Sequence, residues 1–223
     1  MIGWRILERS RKVDAKLAAA YRELPVANVS DSMNRLFAGG ARLRPMHDGS
    51  PMSGPAFTVK TRPGDNLMVH KALNIAEPGD VVVVDAGGDL TNAIIGEIMT
   101  AFAASRGLGG IVINGAIRDA GTLRGASFPV YAAGVTHRGP YKDGPGEINV
   151  PIAIDGMVIE PGDLVVGDED GLLSIPYDAA LAVYEATSRK HRAELKDLEA
   201  IADGTYDRSW VDARLRALGL DIG

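Results

Sequence analysis

The chain has 223 residues, 46% apolar and 24% charged, and is long enough to bury a substantial core without covalent staples. Its formal net charge is −5, and the basic runs Arg9 to Lys12 and Arg189 to Arg192 are short and flanked by acids. No nucleic-acid partner is expected, because phosphate neutralisation needs a clustered basic surface, and the absence of cysteine excludes disulfides, thiolate metal sites and cysteine nucleophiles.

Leu17, Ala20, Tyr21 and Leu24 recur at three- and four-residue spacing and predict a helix over about 13–24, stopped by Pro25. Ser30 or Asp31 can cap a second short helix through Met33 and Leu36, ended by Gly39-Gly40. Alternation over 56–61 predicts a strand, and after the turn Arg62-Pro-Gly-Asp65 a helix follows over about 66–76. The run 81–84 is four valines without polar interruption, the pattern of a strand buried on both faces. A loop at 85–89 precedes a helix predicted over about 92–106, with Ile94, Ile95, Ile98, Met99 and Phe102 as its apolar stripe and Gly107 as its C-cap. Residues 110–113 predict another buried strand, ending at Asn114-Gly115. Further strands are expected at 129–132 and 152–154, and 164–166 should pair with 172–175 as a hairpin.

From Tyr177 to about Ala202 a long helix becomes steadily more charged, keeping only Leu195, Leu198 and Ile201 on one thin apolar face. A short amphipathic helix with Trp210, Val211, Leu215 and Leu218 closes the chain. The Pro-Gly-Asp turn occurs at Pro63, Pro78 and Pro161, but its flanks differ, which argues against a repeat protein. With no Pro/Gly/Ser-rich linker, the expectation is one α/β domain over 1–223, in which 177–223 is a helical segment suited to an oligomer interface. The N-terminus MIGWRILERSRK lacks the apolar stretch of a signal peptide, and no segment nears the ~18 apolar residues that span a bilayer, so a cytoplasmic protein with no membrane partner is expected.

Four groups could carry chemistry. Arg118-Asp119 follows a buried strand and a turn, where sites collect at sheet ends. The cation could hold an anionic substrate and the carboxylate a hard divalent metal, or the two could simply form a loop salt bridge. Gly96-Glu97-Ile98-Met99 lies on the approach to a helix whose free amides would suit a carboxylate, although a glycine there equally serves close helix–sheet packing. Asn66, at the start of its helix, reads as an N-cap or as a polar contact, and Glu194 as a solvated helix charge or a site acid. His47, His70, His137 and His191 show no HxH or HExxH pairing, and His137, in a loop with Gly139-Pro140, is the best placed of them. The stretch Val81 to Gly88 has the look of a nucleotide-binding turn but contains no GxGxxG or GxxxxGK[ST], and there is no GxSxG elbow.

Together these residues form a pattern: an acid at Glu97, residues 98–117, then Arg118-Asp119. With Val81-Val-Val-Val-Asp-Ala-Gly-Gly, Asn114-Gly-Ala-Ile-Arg-Asp and Pro161-Gly-Asp-Leu-Val-Val-Gly-Asp-Glu-Asp-Gly171, the chain resembles the RraA-like family over about residues 26–204. The resemblance implies a three-layer β/β/α fold of the swivelling-domain kind with a long C-terminal helix, assembled as a homotrimer or hexamer. It implies divalent-metal-dependent class II aldolase chemistry of the 4-hydroxy-4-methyl-2-oxoglutarate or 4-carboxy-4-hydroxy-2-oxoadipate type. Such an enzyme cleaves a 2-oxo acid to pyruvate and a second oxo acid, with oxaloacetate decarboxylation as a side activity. In that case Arg118 holds the keto and carboxylate oxygens, Asp119 binds Mg²⁺ or Mn²⁺, and the backbone of Gly96, Glu97, Ile98 and Met99 grips the pyruvate carboxylate. Glu97, where related enzymes often carry Asp, holds a water, Asn66 contacts the substrate, and Glu194 is an acid delivered to a neighbouring subunit's site. The family's other branch comprises protein-binding regulators of ribonuclease E, which lack the acid after the Arg, so Asp119 favours metal chemistry. A different metal-dependent 2-oxo-acid lyase or decarboxylase is the third reading.

Overall fold

The structure, a computed structural model, describes residues 1–36 and 41–221. In chain order the first half contains β1 (Trp4–Ile6), α1 (Ala15–Ala20), α2 (Val26–Ser32), β2 (Arg44–Pro45), β3 (Met52–Thr61), α3 (Leu67–Ile75), β4 (Val81–Asp85), β5 (Ala93–Ile95) and α4 (Glu97–Ser105). The second half contains β6 (Gly110–Ile117), α5 (Ala120–Arg124), β7 (Val130–Val135), β8 (Gly146–Ile148), β9 (Ile152–Ile154) and β10 (Met157–Ile159). It closes with β11 (Leu164–Asp168), β12 (Gly171–Ile175), α6 (Ala180–Ala202) and α7 (Ser209–Ala217).

The valine run of β4 is buried on both faces, as its composition requires. Val81 and Val83 enter one apolar cluster, Val82 and Val84 the other, because successive strand side chains point to opposite faces. In β6, Val112 joins the first cluster, and Ile111 and Ile113 the second. All seven are fully withdrawn from water, each contributing about 1.5–3 kcal/mol relative to exposure. The main path of the sheet runs β1-β8-β3-β4-β6-β7-β2, with β3, β4, β6 and β7 parallel to their neighbours in that series. Strand β3 serves two layers: its second half pairs with β4, while its first half pairs antiparallel with β11, which forms the expected hairpin with β12. Helices α3, α4 and α5 cover one face through Met68, Leu73, Met99, Ala103 and Leu123. The strands β9 to β12 with α1 and α2 cover the other, giving three layers, β/β/α.

Three expectations are corrected. Helix α2 starts at Val26 rather than at Ser30 or Asp31, because Pro25 suits helix entry and the Asp168 carboxylate accepts the Val26 N–H at 2.9 Å. Ser30 and Asp31 therefore lie in its last turn, and Gly39-Gly40 fall outside the described residues. The helix expected over 92–106 is split: 93–95 form a strand against β6, and α4 begins only at Glu97. Ile94 and Ile95 are buried while Ile98 is 81% exposed, so the five apolar residues do not share one face. Finally, β6 does not end at Asn114-Gly115 but continues to Ile117 through a register shift against β7, which brings Arg118 to the strand's end. In α6 only Ala180 and Thr187 are buried, and Leu195, Leu198 and Ile201 stay exposed. Among the described residues no helix is long and apolar enough to cross a membrane.

Strand β1 pairs parallel with β8 and places Arg5 on the largely buried Glu147, with Nε and Nη2 donating at 2.6 and 2.9 Å. The Arg5 hydrogen bonds, and then that from the Gly3 N–H, hold the Glu147 carboxyl at about 2, below its ordinary 4.5, against the opposing effect of burial. A carboxyl depressed in the folded state stabilises above its ordinary range, and that stabilisation drains away as pH falls from about 4.5 toward 2. Replacing Glu147 by Gln should therefore flatten the acid limb of a urea-midpoint-against-pH curve across that window. An equally steep limb in the variant would place the acid sensitivity elsewhere.

Candidate active site

The site forms where the C-terminal end of β6 meets the N-terminus of α4. Arg118 leaves β6 with its N–H donated to Ile95 O at 3.0 Å, which fixes it beside the end of β5. Asp119 adopts the left-handed backbone region (φ 57°), sparsely used by residues other than glycine but tolerated by aspartate. That turn sends its carboxylate away from its own helix and onto the neighbouring one, where Oδ2 accepts the Glu97 N–H at 2.9 Å. Arg118 Nε lies 3.7 Å from the same oxygen. Both side chains are about two-fifths exposed, so they border solvent rather than the core.

Gly96 makes this approach possible. Its backbone is extended, which any residue could adopt, so its requirement is space. A Cβ built there would collide with Asp119 Oδ2 and lie 2.8 Å from Arg118 Cγ. With the Glu97 amide taken by Asp119, Ile98 and Met99 N–H have no acceptor among the described residues and remain available at the positive end of α4. Asn66 is buried, and its side chain makes no capping bond to α3. Instead Nδ2 donates to Ile94 O at 2.8 Å and contacts Met99 Sδ at 3.3 Å, while Oδ1 is buried without a partner. Asn66 thus holds the N-cap position, as its place predicts, but does not cap through its side chain: Asp65 Oδ1 accepts the Leu67 N–H instead.

Asn66, Gly96, Met99, Arg118 and Pro140 line a cavity of about 40 Å³, little more than one water's share of liquid volume. Ile94, Ile95 and Ile98 complete its apolar wall. Wider depressions exist, of about 670 Å³ beside Phe57 and about 390 Å³ beside Tyr21. Arg9 and Asp168 there are already committed: Arg9 forks onto Asp80 at 2.9 and 3.0 Å, and Asp168 receives the Val26 N–H. The small cavity brings the unpartnered Asn66 Oδ1 together with the half-exposed Arg118 and the turn that carries Asp119.

Of the sequence candidates, Asn66, Gly96, Ile98, Met99 and Arg118 line this cavity, and Asp119 and the Glu97 backbone adjoin it. The Glu97 side chain is exposed at the first turn of α4. Glu194 is not brought to these residues. Its Oε1 accepts from Lys190 Nζ at 2.7 Å and its Oε2 from Asn28 Nδ2 at 2.6 Å, and these two donors hold its carboxyl below the ordinary range. His47 hydrogen-bonds the backbone at Val130 and Ser50, and His137 is exposed on the loop that carries Pro140. Pro140 and Asp65 also border the site, and their only signals in the sequence are the Gly139-Pro140 loop and the repeated Pro-Gly-Asp turn.

A guanidinium at the end of a parallel strand, beside a carboxylate and near free helix amides, is an arrangement that can hold a small carboxylate on an α/β sheet. The sequence model of the RraA-like family, described as Aldolase/RraA, matches residues 26–173, and the chain belongs to that family. It is 39% identical over 183 residues to a protein of Halalkalibacterium halodurans named "Putative 4-hydroxy-4-methyl-2-oxoglutarate aldolase", covering 82% of this chain and 87% of that one. A crystal structure of a protein from Pseudomonas syringae pv. tomato superposes with a TM-score of 0.77 at 28% identity, over 86% of this chain and 95% of its own. The RNA-processing inhibitor RraA from Thermus thermophilus superposes with a TM-score of 0.63 at 31% identity, over 68% of this chain and 92% of its own.

The tight fit at Gly96 gives a direct test. In Gly96→Ala the half-exposed Asp119 carboxylate must swing off the Glu97 amide, an overpacking that costs about 1 kcal/mol or more of stability. Affinity for pyruvate, read by calorimetry, should fall about tenfold or more while the fold persists. Unchanged affinity would show that the Asp119–Glu97 contact does not shape the site.

Proposed function

We propose that this chain is a divalent-metal-dependent class II pyruvate aldolase acting on 4-hydroxy-2-oxo acids of the 4-hydroxy-4-methyl-2-oxoglutarate type. The observation that carries the reading is the convergence of Arg118, Asp119, the free Ile98 and Met99 amides and the unpartnered Asn66 Oδ1 on one small cavity. The names of the relatives support it.

Among the described residues no group of three or more His, Cys, Asp or Glu side chains stands ready to hold a metal. The donor set is the single carboxylate of Asp119, whose Oδ2 is engaged by an amide and which borders solvent. That set fits a hard ion which keeps waters and substrate oxygens as ligands, rather than one enclosed in a protein cage. Mg²⁺ or Mn²⁺ held by Asp119 would supply Lewis-acid stabilisation of negative charge developing on the 2-oxo group.

The chain's own residues account for the remainder. The planar fork of Arg118 grips the carboxylate and 2-oxo oxygens, and its fixed charge stabilises the enolate oxygen as it develops. Ile98 and Met99 N–H donate to the carboxylate at the helix terminus. Asn66 Oδ1, an acceptor, takes a hydrogen bond from the substrate's C4 hydroxyl. Cleavage removes the proton from the C4 hydroxyl, breaks the C3–C4 bond, forms a carbonyl at C4 and leaves the electron pair as pyruvate enolate, which is protonated at C3. Glu97 accepts the hydroxyl proton through a water and returns a proton to C3. Loss of CO₂ from oxaloacetate reaches the same enolate, so decarboxylation is a side activity of this site.

A coupled pyruvate assay over a panel of 4-hydroxy-2-oxo acids, before and after exhaustive treatment with EDTA, tests this. Pyruvate release should vanish on chelation and return with Mg²⁺ or Mn²⁺. Full activity after chelation would overturn the class II assignment. The likeness to the Thermus inhibitor supports a second reading, a protein-binding regulator. Absence of pyruvate from every substrate in the presence of metal would leave that one standing.

Glu194 belongs to the proposal through assembly. Its helix keeps Leu195, Leu198 and Ile201 exposed, and a neighbouring copy would cover them and receive the acid in its own site. Arg118→Ala and Glu194→Ala subunits, each inactive alone, should recover a fraction of wild-type activity when mixed and allowed to exchange. No recovery despite demonstrated exchange would confine Glu194 to its own subunit or remove it from the mechanism.

A further inference from the structure

The three Pro-Gly-Asp turns share a backbone but not a use. In each, the aspartate N–H returns to the carbonyl three residues earlier at 3.1 Å, and the glycine takes a positive φ of 73°, 86° or 90°. At 78–80 and 161–163 the carboxylate also closes its own turn: Asp80 Oδ2 accepts the Glu77 N–H and Asp163 Oδ2 the Glu160 N–H, both at 2.9 Å. Asp65 does not. The Arg62 N–H goes instead to Pro145 O, and the Asp65 carboxylate, 0% exposed, reaches outward. Its Oδ1 accepts the Leu67 N–H at 2.9 Å. Its Oδ2 accepts the Asp143 and Gly144 N–H at 2.8 and 2.9 Å, and Arg62 Nη2 at 3.1 Å.

Those bonds hold the two segments that wall the cavity. On one side the Leu67 amide is the first turn of α3, next to Asn66. On the other, Asp143 and Gly144 anchor the end of the 136–145 loop, which carries Pro140. The same loop is bonded at Arg138 O by Ala93 N–H, at Gly139 O by Asn92 Nδ2, and at Tyr141 by Gly64 O and Asn66 N–H. Gly139 lies so close to Arg118 that a Cβ on it would be 3.4 Å from Nη1. One buried carboxylate thus braces, together with the Asn66–Tyr141 and Gly64–Tyr141 bonds, the spacing between Asn66 and Pro140 across the cavity.

We propose that Asp65 is a positioning residue for substrate binding, one that sets the width of the cavity by clamping the Pro140 loop to the start of α3. The proposal rests on the aldolase reading of the same cavity. Walls that contact ground state and transition state alike act on KM, whereas the charge-stabilising groups act on kcat.

The experiment compares Asp65→Asn, Pro140→Gly and the double variant by two readouts. Hydrogen exchange at the Tyr141, Asp143 and Gly144 amides should quicken about tenfold or more in Asp65→Asn, with the amides of β4 and β6 unchanged. For pyruvate release from 4-hydroxy-4-methyl-2-oxoglutarate, each single variant should raise KM about tenfold with kcat within about threefold of wild type. The double variant should be no worse than the worse single, because both open the same wall. Multiplying effects, a loss confined to kcat, or unchanged exchange would overturn the proposal. Should Asp65→Asn not fold, Pro140→Gly decides: raised KM with kcat kept supports the wall, and unchanged KM overturns it. A wild type that releases no pyruvate would end the aldolase reading, and the exchange comparison would still show whether Asp65 holds the loop.

Discussion

The contact between the Asp119 carboxylate and the Glu97 amide organises the site. It joins the end of β6 to the start of α4, and it exists because Gly96 leaves room for it. A negative group at a helix N-terminus is favourable by about 0.3–1 kcal/mol, so the arrangement is held by the helix as well as by the turn. Taking the first amide of α4 leaves the next two open on the side of Arg118. At 3.7 Å, the Arg118 Nε and Asp119 Oδ2 attract without sharing a short hydrogen bond, which leaves the guanidinium fork free for another anion.

The cavity beside this contact is small and its rim is open. At about 40 Å³ the cavity takes only a small part of a larger molecule. The rest of any 4-hydroxy-2-oxo acid must lie across the rim, where Ile98 is 81% exposed and Arg118 and Asp119 border solvent. On the proposed reading, the pocket takes the part of the substrate that all such acids share, and the variable part lies along the rim.

The parts of the fold legible in the sequence were those with a strong period or composition. The valines of β4, the hairpin β11–β12, α3 and the long α6 declare themselves, because burial on two faces and helical spacing leave few alternatives. The catalytic-looking Arg118-Asp119 was legible for the same reason, since it follows a buried strand. What failed was local context. Ile94 and Ile95 fit a helical stripe as well as a strand, and only pairing with β6 decides between them. Asn114-Gly115 looks like a turn but sits in a strand with a register shift, where a neighbouring strand overrides turn propensity. The three-residue strands β1, β8 and β10 and the five-residue α5 are too short to show any period. Asn66 looked like a cap because its position suits one, and the capping oxygen came instead from Asp65, whose role is visible only once the 136–145 loop is seen against it.

The two ends of the main sheet path are short strands, β1 with three residues and β2 with two. Between them lies a row of strands whose side chains are almost wholly apolar, the kind of surface that recruits further strands when its border is long and flat. At the two ends of this path the borders are brief, while β12, paired only with β11, is a five-residue edge off it. Pro45 has no N–H to offer at one end, and at the other Arg5 is fastened to Glu147. Along its main path, then, so apolar a sheet offers a second copy little to pair with.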